Sequence, residues 1–242
     1  MRSAEHIEER KEACRLWQKR PASYWTDQVD MILDNTTWDV PATVRAKSYL
    51  KKCKVRGHLR TRGEGLQPHY TKPCTKKHKL NTGPELKVVC GLVNCRVAVW
   101  HYLKGGTWNG AVAARVYRGP IRKALVRHRG EKRTYVVLED NDPSGYKSNS
   151  AKQAKKDVSI VALAFPRYSP DLNPLDYFFW QEVEARMAKG EPSVLETTDA
   201  FKARLRRTAR GVPECVIRKG VADMKARLLD CYSNGGKFVS WD

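Results

Sequence analysis

The sequence predicts an α/β fold in which one mixed sheet is flanked by helices. The order of its elements indicates this, because apolar segments typical of strands come first and helices alternate with strands afterwards. The 242 residues suffice for one large domain, or for one domain with appendages. The sequence contains no internal repeat, and no apolar run approaches the length of a membrane span.

The predicted elements follow one another closely along the chain. Residues 3–20 indicate a charged helix, and a strand is expected at about 29–37. Residues 86–103 indicate paired strands with a break at Gly91 and Asn94. The further predicted elements are a helix over 109–129 that Gly119-Pro120 interrupts, a strand ending at Asp140, a helix near 147–156, a strand over 158–165, and helices over 174–187, 194–210 and 213–232.

The charge of the chain points to a polyanionic partner. The chain has a formal net charge of +20 and a pI near 9.8. Solubility alone explains this charge poorly, because so much charge of one sign costs stability through self-repulsion. Nucleic acid is the expected partner, and no basic amphipathic anchor indicates a membrane. The seven cysteines include no Cys-x-x-Cys pair, which is typical of a reduced intracellular compartment.

Residues 44–80 form a long basic segment directly after the first predicted strand. They hold twelve Lys and Arg residues against a single acid, Glu64. A loop of this length inside a compact domain is usually functional or disordered, so a merely solvated loop is the alternative to DNA binding. Clustered Lys and Arg bind DNA phosphates by releasing condensed counterions, which favours DNA binding. The predicted DNA-binding residues are Lys47, Lys51, Lys52, Lys54, Arg56, Arg60, Arg62, Lys76 and Lys77, with Arg122 and Lys123 on the helix over 109–129.

Three aspartates lie at the ends of separate core elements. Asn173 can cap a helix whose first turn contains Asp176, Asp140 ends an apolar strand, and Asp34 lies in a third apolar stretch. An acid in a first helical turn is often structural, because it offsets the helix dipole. Three converging carboxylates would however repel one another, and a pair of divalent metal ions removes that penalty. The sequence therefore predicts a two-metal site for phosphodiester chemistry.

The chain resembles the catalytic domain of a mariner-like transposase. The resemblance rests on three motifs in a fixed order, Met-Ile-Leu-Asp-Asn at 31–35, Leu-Glu-Asp-Asn-Asp-Pro at 138–143 and Ser-Pro-Asp-Leu-Asn-Pro-Leu-Asp-Tyr at 169–177. Asp140 and Asp176 are separated by 35 residues, close to the interval usual in this family. The resemblance implies a ribonuclease-H-like fold over residues 29–242, with a helical lead-in at 1–28 and a basic insertion at 44–80.

The resemblance also implies a reaction and its partners. Asp34, Asp140 and Asp176 would be the catalytic residues and would hold two Mg²⁺ ions, with Mn²⁺ as a substitute. The reaction would be cleavage of double-stranded DNA at transposon ends, followed by strand transfer to target DNA. The insertion would reach a partner subunit in a homodimer assembled on DNA. The expected location is the nucleus in a eukaryote and the cytoplasm otherwise.

The sequence departs from the family pattern near two of the acids. Asn35 stands where the family commonly has Glu, and Ser144-Gly145-Tyr146 follows where a His is often found. We expect Asn35, Asn141 and Asn173 to support the metal ligands without binding metal themselves. Residues 1–20 are too short for the helix-turn-helix domains that usually precede this domain, so a fragment, a truncated copy or a host-recruited derivative is expected.

Two other functions remain open from the sequence. The first is a catalytically weakened transposase derivative that acts as a DNA-binding or assembly protein, which Asn35 and Gly145 favour. The second is a cellular nuclease of the same fold, against which the motif at 169–177 speaks. Metal-dependent nicking separates the first alternative from a transposase, and strand joining separates the second.

Overall fold

The structure, a computed structural model, describes residues 3–41, 84–105 and 107–240. Its sheet has five strands, β1 (Met31–Asp39), β2 (Glu85–Val93), β3 (Arg96–Tyr102), β4 (Tyr135–Glu139) and β5 (Ile160–Ala162), in the order β3-β2-β1-β4-β5. The pairs β1–β2 and β2–β3 are antiparallel, whereas β1–β4 and β4–β5 are parallel. The predicted mixed sheet is therefore confirmed, and the basic segment at 44–80 lies outside the described residues.

The described helices are α1 (Ala4–Trp17), α2 (Gly110–Val116), α3 (Arg122–Arg129), α4 (Asn149–Asp157), α5 (Trp180–Lys189), α6 (Thr198–Arg210), α7 (Glu214–Ala222) and α8 (Met224–Ser233). Among these, no helix is long and apolar enough to cross a membrane. The predicted interruption at Gly119-Pro120 is a π-helical turn, Tyr117–Ile121, which joins α2 to α3. Such a turn accommodates Pro120, which has no N–H to donate to the preceding turn.

Three predicted boundaries differ from the structure in part. The break predicted at Asn94 is the hairpin turn, where Asn94 and Cys95 both have positive φ, whereas Gly91 lies inside β2 at a shift in register. A side chain at Gly91 would meet Met31 Sδ at 2.9 Å, so close packing rather than a turn explains this glycine. The strand predicted over 158–165 is only Ile160–Ala162, and it begins late because Ser159, two residues after α4, adopts φ 58°. The helix predicted over 213–232 divides at Asp223 into α7 and α8.

Two hydrophobic cores lie on opposite faces of the sheet, because alternate residues of each strand point to opposite sides. Ile32 and Leu138 face the first core, which α1 and α5–α8 cover. Leu33 and Val137 face the second core, which α2–α4 cover. Trp38 lies in the first core and Trp108 in the second, as the core-packing interpretation of their apolar bulk predicts.

A buried ion pair ties both ends of the described chain to the loop that leads to α5. Arg10 of α1 donates two hydrogen bonds to the carboxylate of Asp171, at 2.9 and 2.6 Å, and both side chains are fully buried. Arg10 Nε also donates to the Gly236 carbonyl at 2.9 Å, and Val239 N donates to Asp171 at 2.8 Å. Asp171 is therefore a structural acid, and it fixes the loop in which Asp176 follows.

Candidate active site

Asp34 lies within β1 and faces the first core. Its side chain is buried, with 5% of its surface exposed. The indole Nε1 of Trp180, the first residue of α5, donates a hydrogen bond of 3.0 Å to Asp34 Oδ2. The fold thus holds a carboxylate in a buried strand and orients it from the helix packed above that strand.

Asp140 follows β4 directly and lies beside Asp34. The parallel register pairs Leu33 with Glu139, so Asp34 and Asp140 occupy the next step on adjacent strands. Neighbouring strands lie about 4.8 Å apart, and strand alternation turns both acids toward the first core. The N–H of Asn141 donates to Asp140 Oδ1 at 2.7 Å. The first two predicted acids therefore meet where β4 ends beside the middle of β1.

Asp176 reaches the same place from the start of the helical segment that continues into α5. Asn173 Oδ1 accepts the N–H of Leu175 at 3.1 Å, and the Asn173 carbonyl accepts the N–H of Asp176 at 2.9 Å. Pro174 directly precedes the first helical residue, so the predicted start at Asn173-Pro174 is confirmed. This first turn, Leu175–Phe179, is π-helical before α5 begins.

The three carboxyl groups are close enough to influence one another's pKa. Burial, followed by the charge of Asp176, raises the pKa of Asp34 well above its ordinary value. Burial raises the pKa of Asp176 to about 6, while a hydrogen bond with Asp34 opposes the shift and the charge of Asp140 adds to it. Burial also raises the pKa of Asp140, against a hydrogen bond from Asn141 N–H. The acids predicted from the sequence thus form one electrostatically coupled cluster.

The chemistry of this cluster fits a hard divalent cation. Within residues 3–41, 84–105 and 107–240, no Lys or Arg forms an ion pair with Asp34, Asp140 or Asp176. Carboxylate oxygens are the ligands that Mg²⁺ and Mn²⁺ prefer. In the same part of the chain, no three His, Cys, Asp or Glu side chains are arranged to hold an ion as they stand.

The predicted supporting residues have different partners. The N–H of Asn141 donates directly to Asp140. The side chain of Asn173 accepts the N–H of Leu175, in the turn that carries Asp176. Asn35 points to the opposite face of the sheet, where its Nδ2 donates to the hydroxyl of Tyr146 at 3.2 Å. Asn35 therefore acts on Asp34 only through the backbone that they share.

The predicted DNA-binding residues divide into two groups. Arg122 pairs with Glu131 at 2.6 Å and donates to the Tyr135 hydroxyl at 3.0 Å, whereas Lys123 is exposed. The others lie outside the described residues, namely Lys47, Lys51, Lys52, Lys54, Arg56, Arg60, Arg62, Lys76 and Lys77. Their role in DNA binding stays a prediction.

Sequence reasoning missed two features beside the acids. The first is Trp180, for which the pattern indicates only an apolar residue of the helix. The second is a buried polar cluster in which Glu139 accepts hydrogen bonds from the Tyr117 hydroxyl and from Lys155 Nζ. One signal was visible in the sequence, since Glu139 is an acid inside a buried apolar strand and such a charge is normally paired.

The fold is similar to that of solved structures of the Mos1 mariner transposase catalytic domain. The crystal structure of that domain has a TM-score of 0.70 at 16% identity, covering 99% of this chain and 98% of that chain. Its structure with raltegravir and Mn gives a TM-score of 0.69 at 17% identity, covering 99% of both chains. The Mos1 paired-end complex with Mn gives 0.68 at 18% identity, and this chain spans 65% of that longer chain.

No protein-family model matches the chain, and no curated protein does either. At identities below 20% the structural likeness establishes the fold. The ribonuclease-H-like architecture expected from the sequence motifs is therefore confirmed.

Proposed function

We propose that the chain is the catalytic domain of a DNA transposase, which cleaves DNA at transposon ends and joins those ends to target DNA. The observation that carries this proposal is the convergence of Asp34, in the middle of β1, with Asp140, directly after β4, and with Asp176. The fold that surrounds them is shared with the Mos1 mariner transposase catalytic domain and with the Mos1 strand transfer complex, of whose longer chain this chain covers 64%.

Asp34, Asp140 and Asp176 would hold two Mg²⁺ ions, which Mn²⁺ can replace. Bound divalent cations supply activation of the attacking oxygen and stabilisation of the leaving oxygen in phosphodiester displacement. The residues of the chain prepare the site for them. Trp180 holds Asp34 in one orientation, and the N–H of Asn141 holds Asp140. Asp34 is buried while Asp140 and Asp176 are half-buried, and this partial burial strengthens the attraction of the cluster for a cation.

Exposed cations outside the acid cluster would bind the phosphates of double-stranded DNA. On α2, α3 and α6, six exposed residues form no ion pair with the described part of the chain, namely Arg115, Lys123, Arg127, Arg206, Arg207 and Arg210. Such contacts position the duplex and carry little sequence information. The basic segment at 44–80 would add to them and would reach a second subunit, so that a homodimer forms on DNA.

A second function is favoured by one observation. Asn35 stands where the family commonly has Glu, and its side chain points away from the acid cluster to the Tyr146 hydroxyl. A transposase derivative with weakened catalysis, which binds DNA or assembles on it, would lack that support for the metal ligands. Its DNA binding would persist while its cleavage would be slow at every metal concentration.

The test is an assay of the purified full chain with Mg²⁺ or Mn²⁺ on two DNA substrates, an intact duplex and a pre-cut end. A transposase nicks the first substrate and joins the second to target DNA, and the Asp140→Asn variant does neither. Nicking without joining would favour a cellular nuclease. DNA binding without either reaction would favour the weakened derivative.

A further inference from the structure

We propose that a buried polar network beneath the sheet sets the spacing between Asp34 and Asp140, and that its members are positioning residues for the metal site. The network consists of Asn35, Tyr117, Glu139, Tyr146 and Lys155. This inference rests on the proposed function, because it assigns these residues to the same acid cluster.

The network is centred on the carboxylate of Glu139, the last residue of β4. Glu139 is 1% exposed and accepts hydrogen bonds from the Tyr117 hydroxyl and from Lys155 Nζ. Lys155, on α4, is 6% exposed, so this ion pair is buried in the second core. Lys147 contributes a weaker contact, with its Nζ at 3.8 Å from Glu139 Oε1.

Tyr146 extends the network from β4 to β1. Lys155 Nζ donates a second hydrogen bond, of 2.9 Å, to the backbone carbonyl of Tyr146. The hydroxyl of the same Tyr146 accepts a hydrogen bond of 3.2 Å from Asn35 Nδ2. A continuous chain of contacts therefore runs from Glu139 through Lys155 and Tyr146 to Asn35.

The two ends of this chain are the direct neighbours of the two acids. Asn35 follows Asp34 in β1, and Glu139 precedes Asp140 at the end of β4. Because side chains alternate along a strand, the neighbours point to the second core while the acids point to the first. The network thus holds the two backbones from below at the level where the acids project above.

Backbone pairing alone does not hold the strands together at this level. The described β1–β4 pairing ends with Leu33 opposite Glu139, one step before Asp34 and Asp140. Beyond that step, repulsion between the carboxylates of Asp34 and Asp140 favours separation of β1 from the end of β4. A cross-strand network at this point opposes the separation, and so keeps the acids at a distance that one cation can bridge.

Stability alone does not account for the buried pair. Replacing a buried ion pair by apolar residues of similar size is often neutral or stabilising, because desolvation offsets the attraction between the charges. The pair of Glu139 and Lys155 has a different role in this proposal, because it specifies one spacing between Asp34 and Asp140. Outer partners of metal ligands commonly affect metal affinity about 10- to 100-fold.

The same two strands supply a matched control at their other ends. Asp30, just before β1, is 2% exposed, pairs with Lys132 at 2.6 Å and accepts the N–H of Val136 at 2.8 Å. It therefore ties β1 to β4 with a buried carboxylate, far along the strands from the acid cluster. Its removal should cost stability without changing the spacing of Asp34 and Asp140.

The experiment measures the Mn²⁺ dissociation constant of the full chain by calorimetry, well below its melting temperature. Tyr146→Phe removes the link to Asn35 without leaving a buried charge, and it retains the ring that packs against Trp108 at 5.0 Å. Asn35→Ala cuts the same link from the other side, and is informative even where the first variant folds poorly. Each is expected to weaken Mn²⁺ binding about tenfold, and combining them should add little.

The control and a second readout separate positioning from folding. Asp30→Asn should lower the melting temperature and leave Mn²⁺ affinity unchanged. DNA cleavage by Tyr146→Phe should recover at high Mn²⁺, with the KM for DNA unaltered. Unchanged Mn²⁺ affinity in both network variants, or an equal loss in Asp30→Asn, would overturn the positioning role and leave the proposed function intact. An unaltered chain that binds no Mn²⁺ would overturn both.

Discussion

Trp180 and Asp34 are joined across 146 positions of sequence by one hydrogen bond of 3.0 Å from the indole Nε1 to the carboxylate. This bond connects the start of α5 to the middle of the central strand. The same helical segment carries Asp176, so the bond ties that segment to the strand that carries Asp34. The tryptophan is therefore a structural link within the acid cluster itself.

The first prediction concerns this hydrogen bond. Trp180→Phe keeps an aromatic ring but removes the donor, so Mn²⁺ affinity should fall by about 10- to 100-fold. Trp100→Phe is the matched control, because Trp100 is equally buried, packs against Trp180 at 6.0 Å between ring centroids, and makes no hydrogen bond to a described carboxylate. Calorimetric titration with Mn²⁺ measures both. Equal losses in the two variants would assign the effect to packing.

The second prediction concerns pH, through the raised pKa of Asp176. A carboxyl group with a higher pKa in the folded protein stabilises the fold when it is protonated. This contribution is complete below the ordinary value of 3.8 and is lost as the pH rises through about 6. Metal ions bind the deprotonated group, so the rise in melting temperature that Mn²⁺ causes should grow over the same interval.

Melting curves with and without Mn²⁺, recorded from about pH 5 to about pH 7.5, measure this dependence around the Asp176 pKa. Asp176→Asn is the reference, because it removes the titrating group at little cost in volume. In that variant the effect of Mn²⁺ should be smaller, and its growth over this interval should be reduced to what the raised pKa values of Asp34 and Asp140 still cause. An equal Mn²⁺ effect at both ends of the range in the unaltered chain would contradict the assignment of Asp176.

The third prediction concerns the buried pair between Arg10 and Asp171. Arg10→Met removes the buried cation that pairs with the carboxylate of Asp171, so the free energy of unfolding should fall by about 3–5 kcal/mol. Urea denaturation measures it. Arg15→Met on the same helix is the control, because the pair of Arg15 with Glu12 is exposed and should matter little. A decrease no larger than that of the control would contradict the structural role of Asp171.

The fourth prediction concerns the basic segment at 44–80. Neutralising Lys51, Lys52, Lys54 and Arg56 together should weaken binding to every DNA sequence alike. The slope of log affinity against log salt should become shallower by about 0.9 for each DNA phosphate that the segment no longer neutralises. Single-turnover cleavage at saturating DNA should change much less, because the acids lie elsewhere. An unaltered slope would move the DNA path to the exposed arginines of α2 and α3 or of α6.

The positions of the three acids and the strands of the sheet could be predicted because local sequence patterns mark both. Asp34, Asp140 and Asp176 each follow from local signals, since an apolar strand or a helix start marks its position. The residues that contact these acids and their neighbours are decided instead by the register of the strands and by how the helices pack on them. Local patterns do not reveal that Lys155 reaches Glu139, or that Trp180 faces Asp34, because these contacts arise only when helices pack on a particular pair of strands.

The boundaries that were wrong have a similar origin. The helix predicted over 213–232 is continuous by pattern, but it divides at Asp223 into α7 and α8. The buried pair of Arg10 and Asp171 joins residues 161 positions apart. A charged residue on an N-terminal helix is usually solvated, so its burial follows only from the tail that folds over it.

The most direct test of the proposed function is the rate of metal-dependent DNA cleavage by the unaltered chain and by Asp140→Asn. The substitution removes one negative charge and almost no volume, so the fold and the DNA affinity without metal should be retained. We expect the unaltered chain to nick DNA in Mg²⁺ or Mn²⁺, and the variant to show no nicking above a metal-free control. Equal rates in the two proteins would show that the cluster of Asp34, Asp140 and Asp176 is not the active site.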